Sequence, residues 1–169
     1  MAHWLPRLLR HRMLDEQDAR RLLGLDALKR IEARVAASEK RHSGEIRVVV
    51  EAGLPLSYLR RKATPRDRAV ALFGKLGVWD TERNNGVLVY LLLAERAIEI
   101  VADRGLDRHV PASEWAQVAA SMQSAFQARD FEGGLLRAID AVDALLVRHF
   151  AARPGDVDVN ELPDAPLLR

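Results

Sequence analysis

Asn85-Gly86-Val87-Leu88-Val89-Tyr90-Leu91-Leu92-Leu93-Ala94-Glu95-Arg96-Ala97-Ile98-Glu99-Ile100-Val101-Ala102 is the stretch that decides the fold. Val87 to Leu93 is apolar throughout, too short for a lone helix and rich in strand formers. A strand buried on both faces reads this way, and it demands helices above and below its sheet. Ala94-Glu95-Arg96-Ala97 reads as a tight turn. Ile98 to Ala102 then alternates, with Ile98, Ile100 and Ala102 on one side and Glu99 and Val101 on the other, so the pair forms an antiparallel hairpin.

Upstream, Glu45 to Glu51 alternates in the same way, placing Ile46, Val48 and Val50 on one face. Three consecutive valines favour a strand because branching at Cβ stiffens the side chain. A helix is expected from about Asp26 to Lys40, with Asp26 as cap and Leu28, Ile31 and Val35 at helical spacing. Thr64-Pro65-Arg66-Asp67 is a sharp helix start, with a capping box and proline at the first helical position. Ala69, Leu72, Phe73 and Leu76 make its buried stripe, and Gly77 stops it. Two helices close the chain, one capped by Ser113 and carrying Trp115, Val118, Met122 and Phe126. The other is capped by Asp130 and carries Leu135, Ile139, Val142, Leu146 and Phe150. The order helix, strand, helix, strand, strand, helix, helix predicts an α/β fold. It is a three-layer α/β/α sandwich around a small mixed sheet of about three to four strands, one pair of them an antiparallel hairpin.

This places one domain over residues 25–150. Residues 1–24 form a basic N-terminal arm, in which Trp4, Leu5, Leu8 and Leu9 share a face beside Arg7, Arg10 and Arg12. Such a helix either packs on its own domain or lies on an anionic membrane surface or a partner. Residues 151–169 form an extended tail with three prolines from Arg153 onward.

Composition excludes several functions. With 26 Lys+Arg against 24 Asp+Glu, the net charge is +2, which does not suit a dedicated nucleic-acid binder. Cysteine is absent, which removes disulfides, thiol catalysis and cysteine-ligated metal. The longest apolar run, Val87 to Ala94, has eight residues, where a membrane span needs about 20. No signal-peptide core of ~7–15 apolar residues follows the basic start. A cytoplasmic location is the expectation.

Chemistry concentrates in Asp80-Thr81-Glu82-Arg83-Asn84-Asn85-Gly86, directly ahead of the buried strand. Asn85-Gly86 suits a tight turn with positive φ. The same residues present two carboxylates, a guanidinium and two amides at one sheet edge. In an antiparallel hairpin, Asp103 and Asp107 return to that edge. Asp80, Glu82 and Asp103, with Asp107 nearby, would then offer hard oxygen ligands to Ca²⁺ or Mg²⁺; surface ion pairing of these acids is the competing reading. No phosphate-binding glycine loop and no glycine-flanked serine elbow occur. His3, His11, His42, His109 and His149 never pair at i, i+4, and no nucleophile stands out.

Five segments, taken in order, resemble the TPM-domain (TPM phosphatase-like) family. They are His42 to Val50, Phe73 to Asp80, Asn84-Asn85-Gly86-Val87-Leu88-Val89-Tyr90, Glu95 to Gly105, and Phe131-Glu132-Gly133-Gly134-Leu135. The resemblance covers about residues 25 to 150 and implies an α/β/α sandwich. Members are described as phosphatase-like, as photosystem-repair factors and as receptor accessory proteins, and some bind divalent cations at the sheet edge. The chain is similar to the short bacterial subgroup found beside an anchored TPM protein and a LemA-type membrane protein. Glu95 stands where the family usually has Asp, and Asp103 where many relatives are Gly-rich.

Two functions follow as expectations. One is a non-enzymatic accessory or interaction module of a membrane-associated bacterial assembly, cytoplasmic and peripheral to the inner membrane. The other is a weak divalent-metal-assisted phosphatase acting on phosphate monoesters. In it Asp80, Glu82 and Asp103 hold the cation, Arg83 or Arg96 clamps the phosphate, and Asn84, Asn85 and the Gly86 turn complete the ligand site.

Overall fold

In a computed structural model, residues 4–155 and 159–169 are described; His3, in the arm, lies outside them. Three helices open the chain: α1 (Trp4–Arg12), α2 (Glu16–Leu23) and α3 (Leu25–Glu39). Then come β1 (Ile46–Glu51), α4 (Leu56–Arg60) and α5 (Pro65–Lys75). The hairpin is β2 (Val87–Leu92) and β3 (Ala97–Ala102), joined by a 3₁₀ turn at Leu93–Glu95. After it follow α6 (Arg104–Asp107), α7 (Ala112–Gln127), α8 (Phe131–Phe150) and β4 (Leu167–Leu168). The sheet order is β3-β2-β1-β4, with β1 parallel to both β2 and β4 and the β2–β3 pair antiparallel.

Every residue of β1 and β2 is buried, because each sheet face carries its own core. Ile46, Val48, Val50, Val87, Val89 and Leu91 pack with α2, α3, α7 and α8. Val49, Leu88, Tyr90 and Leu92 pack on the other face with Leu59, Ala69, Leu72 and Leu162. The three-layer α/β/α arrangement expected from the apolar run is therefore present, and its sheet has four strands.

The capping box at Thr64 forms as expected, with the Asp67 carboxylate accepting from the Thr64 N–H at 2.7 Å. Asp130 caps α8 by accepting from the Gly133 N–H at 2.9 Å. Two expected caps are displaced. α3 starts after Gly24, whose φ of +77° suits glycine, and Asp26 lies in its first turn. α7 starts after Pro111, and Ser113 is already helical.

The arm and the tail both enter the body. Ala19 and Leu23 of α2 join the core on one face, and Leu8 of α1 packs against the other. The tail brings Leu162 and Leu168 into the cores and pairs Leu167 and Leu168 with Val49 and Val50. Buried Arg47 donates to the carbonyl of Pro163 at 2.8 Å and to that of Ala165, so the tail also satisfies a charge beneath the sheet.

The turn before β2 differs from its expected form. Positive φ falls at Asn84 (+52°), and neither Asn85 nor Gly86 adopts it. Glycine at 86 serves close approach, since a Cβ there would overlap the Val78 carbonyl. Gly86→Ala is therefore expected to cost about 1–3 kcal/mol by overpacking, whereas Asn84→Gly should change stability by less than about 1 kcal/mol. Paired urea melts check the difference, and equal effects would contradict this assignment.

Candidate functional site

Polar side chains collect at the two ends of the sheet, since its middle is apolar on both faces. The end where β1 and β2 start and β3 finishes carries the loop singled out by the sequence. Its edges meet as expected: the Asp103 N–H donates to the Gly86 carbonyl at 2.9 Å and the Gly105 N–H to the Asn84 carbonyl at 2.8 Å. Asn85 is fully buried. Its backbone N–H donates to Thr81 Oγ1 at 3.1 Å and its Nδ2 to the Ser43 carbonyl at 3.0 Å, tying the start of β2 to the segment before β1. The amide offered in sequence as a ligand donor is thus a structural clasp.

The acids do not gather. Asp80 and Asp107 are exposed, and Asp103 is buried with Oδ1 accepting from the Arg104 N–H at 2.7 Å. The exposed Glu82 gives its backbone N–H to the Glu161 carboxylate. Among the described residues no three His, Asp or Glu side chains are placed to hold a metal ion. Arg83 and Glu82 instead line a cleft of about 590 Å³ together with Glu39, His42, Ser43 and Glu161. Arg96 is at the far end of β2, about 20 Å away at 3.3 Å per residue, so it does not share a site with Arg83, Asn84 and Asn85.

Glu39 and its neighbours carried no sequence signal beyond helical spacing. Its carboxyl is pushed up to about 9 by burial, opposed by the Ile46 N–H that it accepts at 2.9 Å and reinforced by Glu45 and Asp164. At neutral pH it is a protonated acid beside that cleft. One turn away, Ser38, His42 and Asp143 meet in a way that resembles a hydrolase triad but runs in the opposite sense. The Gly44 N–H donates to His42 Nδ1 at 3.2 Å, so Nε2 carries the proton and donates to Ser38 Oγ at 2.8 Å. Ser38 in turn donates to Asp143 at 2.9 Å, and Arg41 holds the other Asp143 oxygen at 2.7 Å. The histidine lone pair faces the backbone, so this serine is not activated as a nucleophile.

At the opposite end, β1 finishes in Glu51, buried and bidentate with Arg68 at 2.9 and 2.6 Å. The Tyr90 hydroxyl donates to the same carboxylate at 2.7 Å. Burial and the adjacent carboxylate drive the Tyr90 hydroxyl far above its ordinary range. Burial opposes the charge on Arg68, and Glu51 more than offsets it, raising the guanidinium. Next to this trio, Glu95 accepts from Arg7 Nε and His11 Nε2, both at 2.8 Å, and these contacts with His11 and Arg7 hold its carboxyl below the usual range despite burial. His11 Nδ1 accepts from the Leu54 N–H at 2.9 Å, so α1 is clamped at both ring nitrogens. Beside it opens a cleft of about 600 Å³ lined by Arg10, Leu14, Leu22, Arg96, Arg129 and Phe131.

The family model for the TPM domain matches residues 17–145. The chain belongs to the TPM-domain family. The BA42 protein of the psychrophilic bacterium Bizionia argentinensis, solved by NMR, is similar at 27% identity and a TM-score of 0.74, over 85% of this chain and 93% of that one. The N-terminal domain of a P. gingivalis protein, also solved by NMR, shares the fold at 22% identity and a TM-score of 0.63, over 78% of this chain and 83% of that one. No curated protein matches the chain.

Two measurements test the assignment of these buried groups to the fold. Arg68→Ala leaves buried Glu51 with only the more distant Arg169, at 3.9 Å, as a cation and should cost about 3–5 kcal/mol. Tyr90→Phe should cost about 1.5–3 kcal/mol, the range for a hydrogen bond to a charge. Chemical denaturation reads both, and near-neutral effects would contradict this structural role. The second concerns pH. The folded state raises the Glu39 carboxyl from 4.5 to about 9, so its contribution is fully present below pH 4.5 and fades as pH rises toward 9. Glu39→Gln keeps the acceptor for Ile46 and should remove that loss. Melts at about pH 5 and pH 8.5 should therefore converge for the variant, while the parent weakens at the higher pH.

Proposed function

We propose that this TPM-domain chain is a non-enzymatic accessory module that docks on a membrane-associated bacterial assembly through α1. One observation carries this reading. α1 is pinned to the domain along one side by Arg7, Leu8 and His11, while Leu5 and Leu9 on the helix and Met13 just past its end, at i, i+4 and i+8, are exposed. These three are 56%, 55% and 78% exposed. A helix held that firmly does not turn its apolar stripe into its own core, so the stripe is available to a partner. Arg10 and Arg12 flank it, which suits an acidic or anionic surface.

No helix among the described residues is long and apolar enough to cross a membrane. The proposed attachment is peripheral, on the cytoplasmic side of the inner membrane. The family resemblance supplies the class of partner, an anchored TPM protein or a LemA-type membrane protein. The buried polar groups support the same reading, since Ser38, His42, Glu51 and Tyr90 are each engaged in holding the fold.

The test is fractionation of the tagged full chain from its bacterial host. The parent should be recovered with membranes, and the triple variant L5E/L9E/M13E should move to the soluble fraction. Its thermal midpoint should be unchanged, because all three positions are exposed. Recovery of the parent only as a soluble monomer would overturn the proposal, as would membrane recovery unaffected by the three glutamates.

A further inference from the structure

Strand β3 is one edge of the sheet, and the short β4 is the other. The Asp103 N–H bonds to Gly86, and the register runs from Val87 opposite Ala102 to Leu92 opposite Ala97. Antiparallel ladders alternate between paired and outward-facing residues. Ala97, Glu99 and Val101 therefore bond to β2, while Ile98, Ile100 and Ala102 turn their N–H and C=O groups to the open edge. Arg66 donates to the Ile100 carbonyl. Outside the β2–β3 ladder, no backbone partner for these three occurs among the described residues.

Beside this edge lies a groove between β3 and α7, made of two adjoining hollows of about 500 and 490 Å³. Both are lined by Ile98, Ala116 and Ala119. α7 presents small, exposed residues there, which leave depth for side chains entering from outside. The buried indole N–H of Trp115, also in the lining, lacks an acceptor among the described residues. Arg96 closes the groove at the start of β3, and Asp107 at its finish.

We infer that this groove receives one extended segment of a partner polypeptide, which adds to the sheet beside β3. Exposed strand groups pair with extended backbone, and pockets for alternate side chains select its sequence. A segment antiparallel to β3 places its C-terminal end at Arg96 and its N-terminal end at Asp107, so an acidic residue or terminal carboxylate belongs at the first and a basic one at the second. It replaces the Arg66 bond to Ile100 with its own.

A random decapeptide display library, selected on the immobilised full chain, is the probe. Enriched sequences should alternate apolar and polar residues and carry Asp or Glu at the C-terminal end. Ile98→Pro removes one outward N–H at an edge position that tolerates proline, and enrichment should fall at least tenfold. Ala119→Glu fills the groove from an exposed helix position and should do the same, which decides the matter if the proline variant fails to fold. Arg96→Glu should switch the C-terminal preference to Lys or Arg. L5E/L9E/M13E should leave the enrichment intact, which keeps this inference separate from the α1 reading. Equal enrichment on the parent and on folded Ala119→Glu would overturn it, as would a dimer in sedimentation that Ile98→Pro dissolves.

Discussion

Complete burial of β2 is the constraint on which the rest of the molecule depends. A strand with no solvent on either face must have both its backbone edges paired and both its side-chain faces covered. β1 and β3 meet the first requirement. Helices α3, α7 and α8 on one side and α4, α5 and the Leu162 segment on the other meet the second. Because the middle of β1 and β2 is closed to water, the charged groups of these strands are confined to their ends. There each one needs a partner or a shifted protonation state. Glu51 takes the first route, with Arg68 and Tyr90, and Glu39 the second.

The same confinement explains why α1 and the last residues are structural. Arg47 lies on a buried strand and finds its acceptors in the carbonyls of Pro163 and Ala165, so the last residues are held by a charge as well as by Leu162 and Leu168. At the other end, the Leu54 N–H and the Glu95 carboxylate fix His11 and with it α1. A Cβ at Gly53 would overlap the His11 backbone, so glycine there lets the helix sit against the domain.

The layers were legible because periodicity reports burial directly: Val87 to Leu93 could only be a strand covered twice, and Thr64 to Asp67 could only open a helix. The caps at Gly24 and Pro111 were harder to read, since backbone conformation at a boundary competes with a nearby polar side chain. At the candidate loop, sequence placed the Asn84–Gly86 turn and Asp103 at one edge correctly. It did not separate Arg96 from that group, although the length of the intervening strand carries the information. Nor did it show that Asn85 faces inward, because an amide that clasps two segments and an amide that binds a ligand look alike in sequence. Ser38, His42 and Asp143 were invisible for a further reason: 101 positions separate His42 from Asp143 along the chain, and only the packing of α3 on α8 brings them together.

Orientation decides what such clusters do. Ser38, His42 and Asp143 contain the residue types of a hydrolytic triad, yet the Gly44 N–H takes the histidine lone pair and Asp143 takes the serine proton. Glu51 faces the Arg68 and Arg169 guanidiniums and the Tyr90 phenol. Chemistry needs a group whose interactions change during a reaction, and these groups are engaged by the resting fold. Exposed on the surface are the Leu5, Leu9 and Met13 stripe, the arginines beside it, and the outward backbone of β3, of which only the Ile100 carbonyl is held, by Arg66. On the function proposed above, it is these surfaces at the edges of the TPM domain that would meet a partner.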